Sequence, residues 1–153
     1  MKSKPFLFVS VGSTDFDDLI HAVDILVPSL QIEGIMQIGH GKYEPINLPF
    51  FRFAHTLEPF YKKASFAIAH GGLATTMEIL RKGIPLVSVN NPDRYDNHQE
   101  DLLEIMEKNN YLIWCRRLEE IGESLNLAMG SAFRIYKEPE CNIHLHINKF
   151  LIK

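Results

Sequence analysis

The amino-acid sequence predicts an α/β fold: a single Rossmann-like domain with a mostly parallel sheet and helices on both faces. Three observations carry this expectation. Short, near-continuous apolar runs alternate with longer amphipathic segments, as strands buried on both faces alternate with their crossover helices. Small polar turns rich in glycine follow several of the apolar runs, notably Gly12-Ser13-Thr14, Gly39-His40-Gly41 and Gly71-Gly72. Finally, 153 residues of which 46% are hydrophobic suit one domain with an ordinary core.

The elements follow in order. Phe6–Val11 is an apolar run and the first expected strand. Residues 15–30 carry Leu19, Val23, Leu26 and Leu30 at helical spacing, with Thr14 or Asp15 as the N-cap. Gly34–Ile38 is the second strand, turned at Gly39-His40-Gly41. Phe50–Phe53 is a short third strand, followed by a brief helix over Leu57–Lys63. Phe66–Ala69 is the fourth strand. A helix is expected over Leu73–Arg81, with Met77 and Leu80 facing inward and Gly83 stopping it. Pro85–Val89 is the fifth strand, Asp96–Lys108 a helix closed by Asn109-Asn110, Ile113–Cys115 a sixth strand and Leu118–Met129 a further helix. The tail over 131–153 contains Phe133, Tyr136 and the apolar stretch IHLHINKFLI. It reads as a helix or strand packed on the domain, or as a docking segment for a partner chain.

Composition narrows the function. Net charge is -3 with no run of Lys or Arg, which argues against nucleic acid as a partner, because binding a phosphate backbone needs a basic face. Two cysteines without a CxxC pair give neither a disulfide framework nor zinc spacing, and suit a reducing cytoplasm. The apolar run after Met1-Lys2-Ser3-Lys4 is short for a signal peptide. No segment approaches the roughly 20 apolar residues of a membrane span.

Ligands of open parallel sheets bind beyond the carboxyl ends of the strands. Three clusters are expected there: Gly12–Thr14, His70–Thr76 and Asn90–Gln99. A double glycine between a strand and a helix start lets backbone amides approach a phosphate closely. Gly71 and Gly72, with amides and hydroxyls of Leu73, Thr75 and Thr76, therefore form a candidate diphosphate turn, a tight turn with ordinary capping being the other reading. His70 ends the strand before it and joins the candidate donor-binding set, with a backbone-satisfied structural role as its alternative. Glu78 lies one turn further on, where a carboxylate suits two ribose hydroxyls; a solvated surface acid is its plain reading. Asp96 and Asn97 suit helix capping, and Asn97 and Gln99 also suit sugar hydroxyls. That order of groups fits a nucleotide sugar. There is no Ser-His-Asp or Cys-His grouping, and no residue is assigned as catalytic.

The segment HGGLATTMEILRKGIPLVSVNN followed by DNHQEDL resembles the glycosyltransferase family 28 C-terminal domain, the donor-binding half of GT-B enzymes. The HGG turn, Thr75, Glu78, the Gly83-x-Pro85 step and the Asp-Asn-His-Gln block stand in register. VSVGST followed by Phe16 resembles the start of short stand-alone members: the soluble subunit of a eukaryotic two-part N-acetylglucosaminyltransferase and small bacterial polysaccharide-synthesis subunits. The resemblance covers about Phe6 to Trp114. Leu73 departs from it, standing where the eukaryotic subunits carry another small residue.

The resemblance implies a UDP-sugar donor and inverting transfer, with no metal and no other cofactor. It places the diphosphate at Gly71–Thr76, the ribose at Glu78, the donor sugar at Asn97 and Gln99, and Gly12 and Ser13 along an interdomain cleft. The chain has room for one of the two GT-B domains. The expected partner is therefore a membrane-anchored, acceptor-binding subunit that recruits a lipid-linked saccharide. The chain itself would then be cytoplasmic, peripheral at the membrane face through that partner. Two other readings stay open: a non-catalytic enhancer or scaffold subunit, and a fragment similar to UDP-N-acetylglucosamine 2-epimerases.

Overall fold

The computed structural model describes residues 3–93, 98–142 and 147–148. The apolar runs become strands β1 (Phe6–Ser10), β2 (Glu33–Gln37), β3 (Phe50–Phe51), β4 (Phe66–His70), β5 (Leu86–Val89) and β6 (Ile113–Trp114). All pair in parallel, in the order β3-β2-β1-β4-β5-β6. The order reverses direction between β1 and β4. Loops leaving these two strands diverge to opposite sides there and open a crevice at the carboxyl edge.

Helices α1 (Asp17–Leu26), α2 (Glu58–Lys63), α3 (Leu73–Arg81), α4 (His98–Lys108) and α5 (Ile121–Gly130) complete the domain. Leu19, Ile20 and Val23 of α1 and Ile121 and Leu125 of α5 pack with Leu7, Val9, Ile68 and Val87 on one face. Tyr61, Ile79, Leu80 and Leu103, from α2, α3 and α4, pack with Phe8, Ala67, Ala69 and Leu86 on the other. Alternate strand residues therefore serve opposite layers, as the period-2 pleat requires. On the second face Phe60 stacks against Phe8 and Phe51, at 5.6 and 4.6 Å between ring centroids.

The first helix differs from expectation at both ends. Its N-cap is Phe16, with no side-chain cap. Thr14 Oγ1 instead donates to the Val11 carbonyl at 2.9 Å, closing the turn after β1. The α-helix ends at Leu26 and tightens to a single 3-10 turn over Val27–Ser29. Pro28 has no N–H to offer the Asp24 carbonyl, and Asn47 Nδ2 donates to that carbonyl instead, at 3.0 Å. The helix after β6 likewise begins as a 3-10 turn over Leu118–Glu120 before α5. On α3 the inward residues are Thr76, Ile79 and Leu80, with Met77 half-buried. That helix stops where expected: Ile84 N–H returns to the Ile79 carbonyl across Gly83. Residues 131–142 form neither helix nor strand. They run along the domain, with Arg134 N–H bonded to Asn110 O and Tyr136 edge-on to Tyr111. The rest of the expected docking segment falls largely outside the described residues.

Asp24 fixes the loop between β2 and β3. It is 1% exposed and accepts from Tyr43 Oη at 2.7 Å, Ile46 N at 2.9 Å and Asn47 N at 2.8 Å. Burial pushes its carboxyl up, but the hydrogen bonds from Ile46, Tyr43 and Asn47 outweigh burial and hold it below its ordinary value. Asp24 thus contributes stability that is present above the ordinary carboxylate pKa and is lost as pH falls through the lowered folded value. Asp24→Ala leaves buried donors unsatisfied and is expected to cost about 2–4 kcal/mol. Thermal melts from roughly pH 6 down to pH 2 should show a shallower acid decline for Asp24→Asn than for the parent.

Candidate functional site

The parallel sheet puts every strand's carboxyl end on one edge, so three sequence-distant loops meet beside the β1/β4 reversal. After β1, Gly12 adopts φ +64°, which glycine tolerates and a side chain resists. Its turn is held by Ser10, whose hydroxyl donates to Gln37 Oε1 at 2.7 Å and accepts from Gly12 N–H at 3.1 Å. Ser13 is exposed beyond it.

After β4, the chain passes through Gly71 and Gly72 directly into α3. Gly72 is the N-cap and provides no side-chain acceptor for the first-turn amides. Leu73 (63% exposed) and Ala74 open this turn to solvent, and Thr75 is half-buried. Uncapped amides at a helix start, together with the helix dipole, favour an anion. Thr76 departs from the expected role. It is fully buried, and its Oγ1 has no hydrogen-bond partner. Its hydroxyl is therefore closed to a ligand at the surface, leaving Thr75 as the hydroxyl at the turn.

His70 is 7% exposed, and its ring joins the two glycine turns. A Cβ on Gly12 would lie 3.1 Å from His70 Cε1, and a Cβ on Gly72 would lie 2.4 Å from His70 Nε2. Nδ1 sits 3.4 Å from the Ser10 carbonyl, an acceptor that favours the Nδ1–H tautomer. The ring spaces the β1 turn from the start of α3.

Glu78 is exposed on α3, and its Oε2 accepts from the Tyr61 hydroxyl of α2 at 2.9 Å. On the other flank, Gln99 Oε1 accepts from Asn91 N at 3.1 Å. The Gln99 NH2 is thus the end available to a hydroxylated ligand. Asn91, 7% exposed, donates from Nδ2 to the Asp15 carbonyl at 3.1 Å and accepts from Asp93 N at 3.1 Å, tying the β5 loop to the β1 loop. Asn97 and Asp96 lie outside the described residues.

A depression of about 220 Å³ lies between the double-glycine turn and α4, lined by Gly71, Gly72, Leu73, His98, Gln99 and Leu102. None of its described lining residues is Lys or Arg; among them, backbone amides and the α3 dipole supply positive charge. A larger groove of about 740 Å³ runs between α1 and α5, but no strand-end loop lines it. Among the described residues, no group of three or more His, Cys, Asp or Glu is placed to hold a metal, and no helix is long and apolar enough to cross a membrane.

Of the residues the sequence singles out, the structure brings Gly12, His70 and Thr75 together and Gly71 against Gln99, while Glu78 meets Tyr61 on α2. The sequence did not single out Ser10, Gln37, Tyr61 or Asn91, which orient them. Only Asn91 left a local signal, in the turn-forming run Asn90-Asn91-Pro92-Asp93.

Residues 6–128 match the family model of the glycosyltransferase family 28 C-terminal domain. The UDP-N-acetylglucosamine transferase subunit ALG13 of Homo sapiens is 35% identical over 122 residues, covering 71% of this chain and 11% of that protein. The protein of the same name from Debaryomyces hansenii is 20% identical over 127 residues, covering 78% of this chain and 58% of that one. The chain thus spans about a tenth of the length of the human relative and little more than half of the Debaryomyces one. Among solved structures, MurG of Acinetobacter baumannii superposes with a TM-score of 0.67 at 18% identity, covering 99% of this chain and 51% of that one. An NMR solution structure of ALG13 superposes with a TM-score of 0.64 at 14% identity, covering 95% of each chain. These two likenesses show the shared fold.

Proposed function

Because the chain belongs to the glycosyltransferase family 28 C-terminal domain family, we propose that it binds a UDP-sugar and serves as the donor-binding subunit of an inverting glycosyltransferase. The observation that carries this reading is the meeting, at the carboxyl edge of the sheet, of an uncapped helix start behind a double glycine with the side-chain amide of Gln99; the Glu78 carboxylate stands on the same helix, one turn further on. In it the α3 amides take the diphosphate, Glu78 takes the ribose, and Gln99 with Asn97 takes the sugar. Gly12 and Ser13 line the cleft toward the acceptor. The name of the human and Debaryomyces relatives, a UDP-N-acetylglucosamine transferase subunit, supports an N-acetylhexosamine as that sugar.

The chemistry follows from charge. As the glycosidic bond to UDP breaks, negative charge grows on the leaving diphosphate. Fixed amides at the α3 start stabilise that charge more than the ground state, which is the condition for catalysis. Hydrogen bonds to a charged group contribute about 1.5–3 kcal/mol each, and the helix dipole about 0.3–1 kcal/mol. Two or three such amides suffice for this role without a metal. The base that deprotonates the attacking hydroxyl comes from a membrane-anchored, acceptor-binding partner presenting a lipid-linked saccharide. The chain works at the cytoplasmic membrane face through that partner and shows little transfer on its own.

Calorimetric titration with UDP and a panel of UDP-sugars, each with and without EDTA, tests the reading. Saturable binding that is unchanged by EDTA is expected, tightest for one N-acetylhexosamine donor. Binding that disappears with EDTA overturns the metal-free site, and robust sugar transfer by the purified chain alone overturns the division of labour.

A further inference from the structure

Glu78 and its neighbour Tyr61 come from different helices, and the contact between them is asymmetric. The glutamate is exposed on α3. The tyrosine is 5% exposed on α2. Its ring is edge-on to Phe8 at 5.5 Å, with an interplanar angle of 83°, within the cluster that also holds Ala67, Ala69 and Ile79. A ring packed on that many sides keeps one rotamer, so its hydroxyl is a fixed point. A surface glutamate has three rotatable bonds and, left alone, samples many orientations. The bond from Tyr61 Oη to Glu78 Oε2, 2.9 Å long, therefore anchors the mobile group to the rigid one. Burial first, and then the Glu78 carboxylate, push the Tyr61 hydroxyl above its ordinary value. It stays protonated, and so remains a donor, throughout the neutral range.

We propose that Tyr61 is a positioning residue, holding the Glu78 carboxylate by Oε2 so that Oε1 is presented to the vicinal hydroxyls of a ribose. This rests on the nucleotide-sugar reading above and adds to it the residue that sets ribose recognition. A carboxylate has roughly four acceptor directions. Tyr61 uses one and leaves enough for two ribose hydroxyls. The conformational freedom that an untethered glutamate loses on binding is already lost here, so less affinity is spent on it.

A purely structural tie between α2 and α3 would show the same hydrogen bond, so the test must read recognition rather than stability. Wild type, Tyr61→Phe, Glu78→Ala and the double variant are titrated with UDP and with 2′-deoxy-UDP. Phenylalanine keeps the packed ring, and melting temperatures monitor the fold. Wild type should prefer UDP over 2′-deoxy-UDP by about ten- to a hundredfold, as one lost hydrogen bond to a charged group predicts. Tyr61→Phe should weaken UDP binding by about three- to tenfold and shrink that preference. In the Glu78→Ala background Tyr61→Phe should have no further effect, since residues acting through one contact are not additive. Unchanged UDP affinity and unchanged preference in Tyr61→Phe overturn the proposal and leave the nucleotide-sugar reading standing. Equal losses for both ligands overturn it in the same way, by making Tyr61 a general structural residue. A wild-type chain that does not bind UDP overturns both.

Discussion

Alanine at Glu78 is expected to remove most of the affinity for UDP while the domain stays folded. The side chain is exposed and contributes nothing to either apolar cluster, so truncating it opens no cavity. The one structural loss is the acceptor of the Tyr61 hydroxyl. Loss of that hydrogen bond should cost about 1 kcal/mol of stability. Binding should suffer more. Two ribose hydroxyls donating to a carboxylate are worth about 1.5–3 kcal/mol each, less whatever water returns. A loss of about 2–4 kcal/mol, roughly 30- to 1000-fold in Kd, is the result to look for by calorimetry. Glu78→Gln keeps one acceptor oxygen and should fall between the two. If folded Glu78→Ala binds UDP like the parent, the glutamate is a surface acid and the ribose lies elsewhere. In that event the reading of the whole edge fails, because the diphosphate turn and the carboxylate are one turn of helix apart and must share a ligand.

The strands were legible because a strand covered on both faces is written as a local apolar run, and the helix between two such runs as a local period. The double-glycine turn was legible for a related reason: glycine is chosen by backbone geometry within a few residues. Thr76 shows a misreading that local information could have prevented. It lies three and four residues before Ile79 and Leu80 on one helical stripe, so its burial follows from the spacing. As a member of a Thr-Thr pair at a candidate phosphate turn it offers a hydroxyl to a diphosphate, a role its burial opposes. The N-cap of α1 failed differently. Thr14 and Asp15 have capping chemistry, but the Thr14 hydroxyl is used by the turn after β1 and the Asp15 backbone is held by the β5 loop. Thr14 Oγ1 donates to Val11 O, and the Asp15 carbonyl receives Asn91 Nδ2 from 76 residues away. Contacts at that separation leave no trace in a local pattern. The same holds for the donors that converge on Asp24 from the β2–β3 loop and for Tyr61 beneath Glu78. The groups proposed to touch a ligand were readable from their chemistry, whereas those that orient them were fixed only by the fold.

Gly72→Ala should be the most damaging single methyl at the site. The backbone there, φ -69° and ψ 136°, is one that any residue adopts, so the difficulty is space rather than conformation. The added carbon would lie 2.4 Å from His70 Nε2 and 3.1 Å from its Cδ2 and Cε1. Ordinary contact needs about 3.5–4 Å, so the ring or the helix start must shift by about 1 Å. The ring has little room. It is 7% exposed, with Gly12 on its other side and the Ser10 carbonyl at Nδ1. The start of α3 must therefore move, carrying with it the amides proposed to hold the diphosphate. Overpacking of this kind costs about 1–3 kcal/mol of stability, and a displacement of about 1 Å at a positioning group costs on the order of a hundredfold in function. Melting temperature and UDP titration read the two effects separately. Wild-type affinity in Gly72→Ala would mean that the diphosphate does not use this turn. The double variant His70→Ala/Gly72→Ala removes the clash. Recovery of UDP binding in it assigns His70 to spacing the two glycine turns. Restored stability without restored binding instead makes the imidazole one of the groups that hold the ligand.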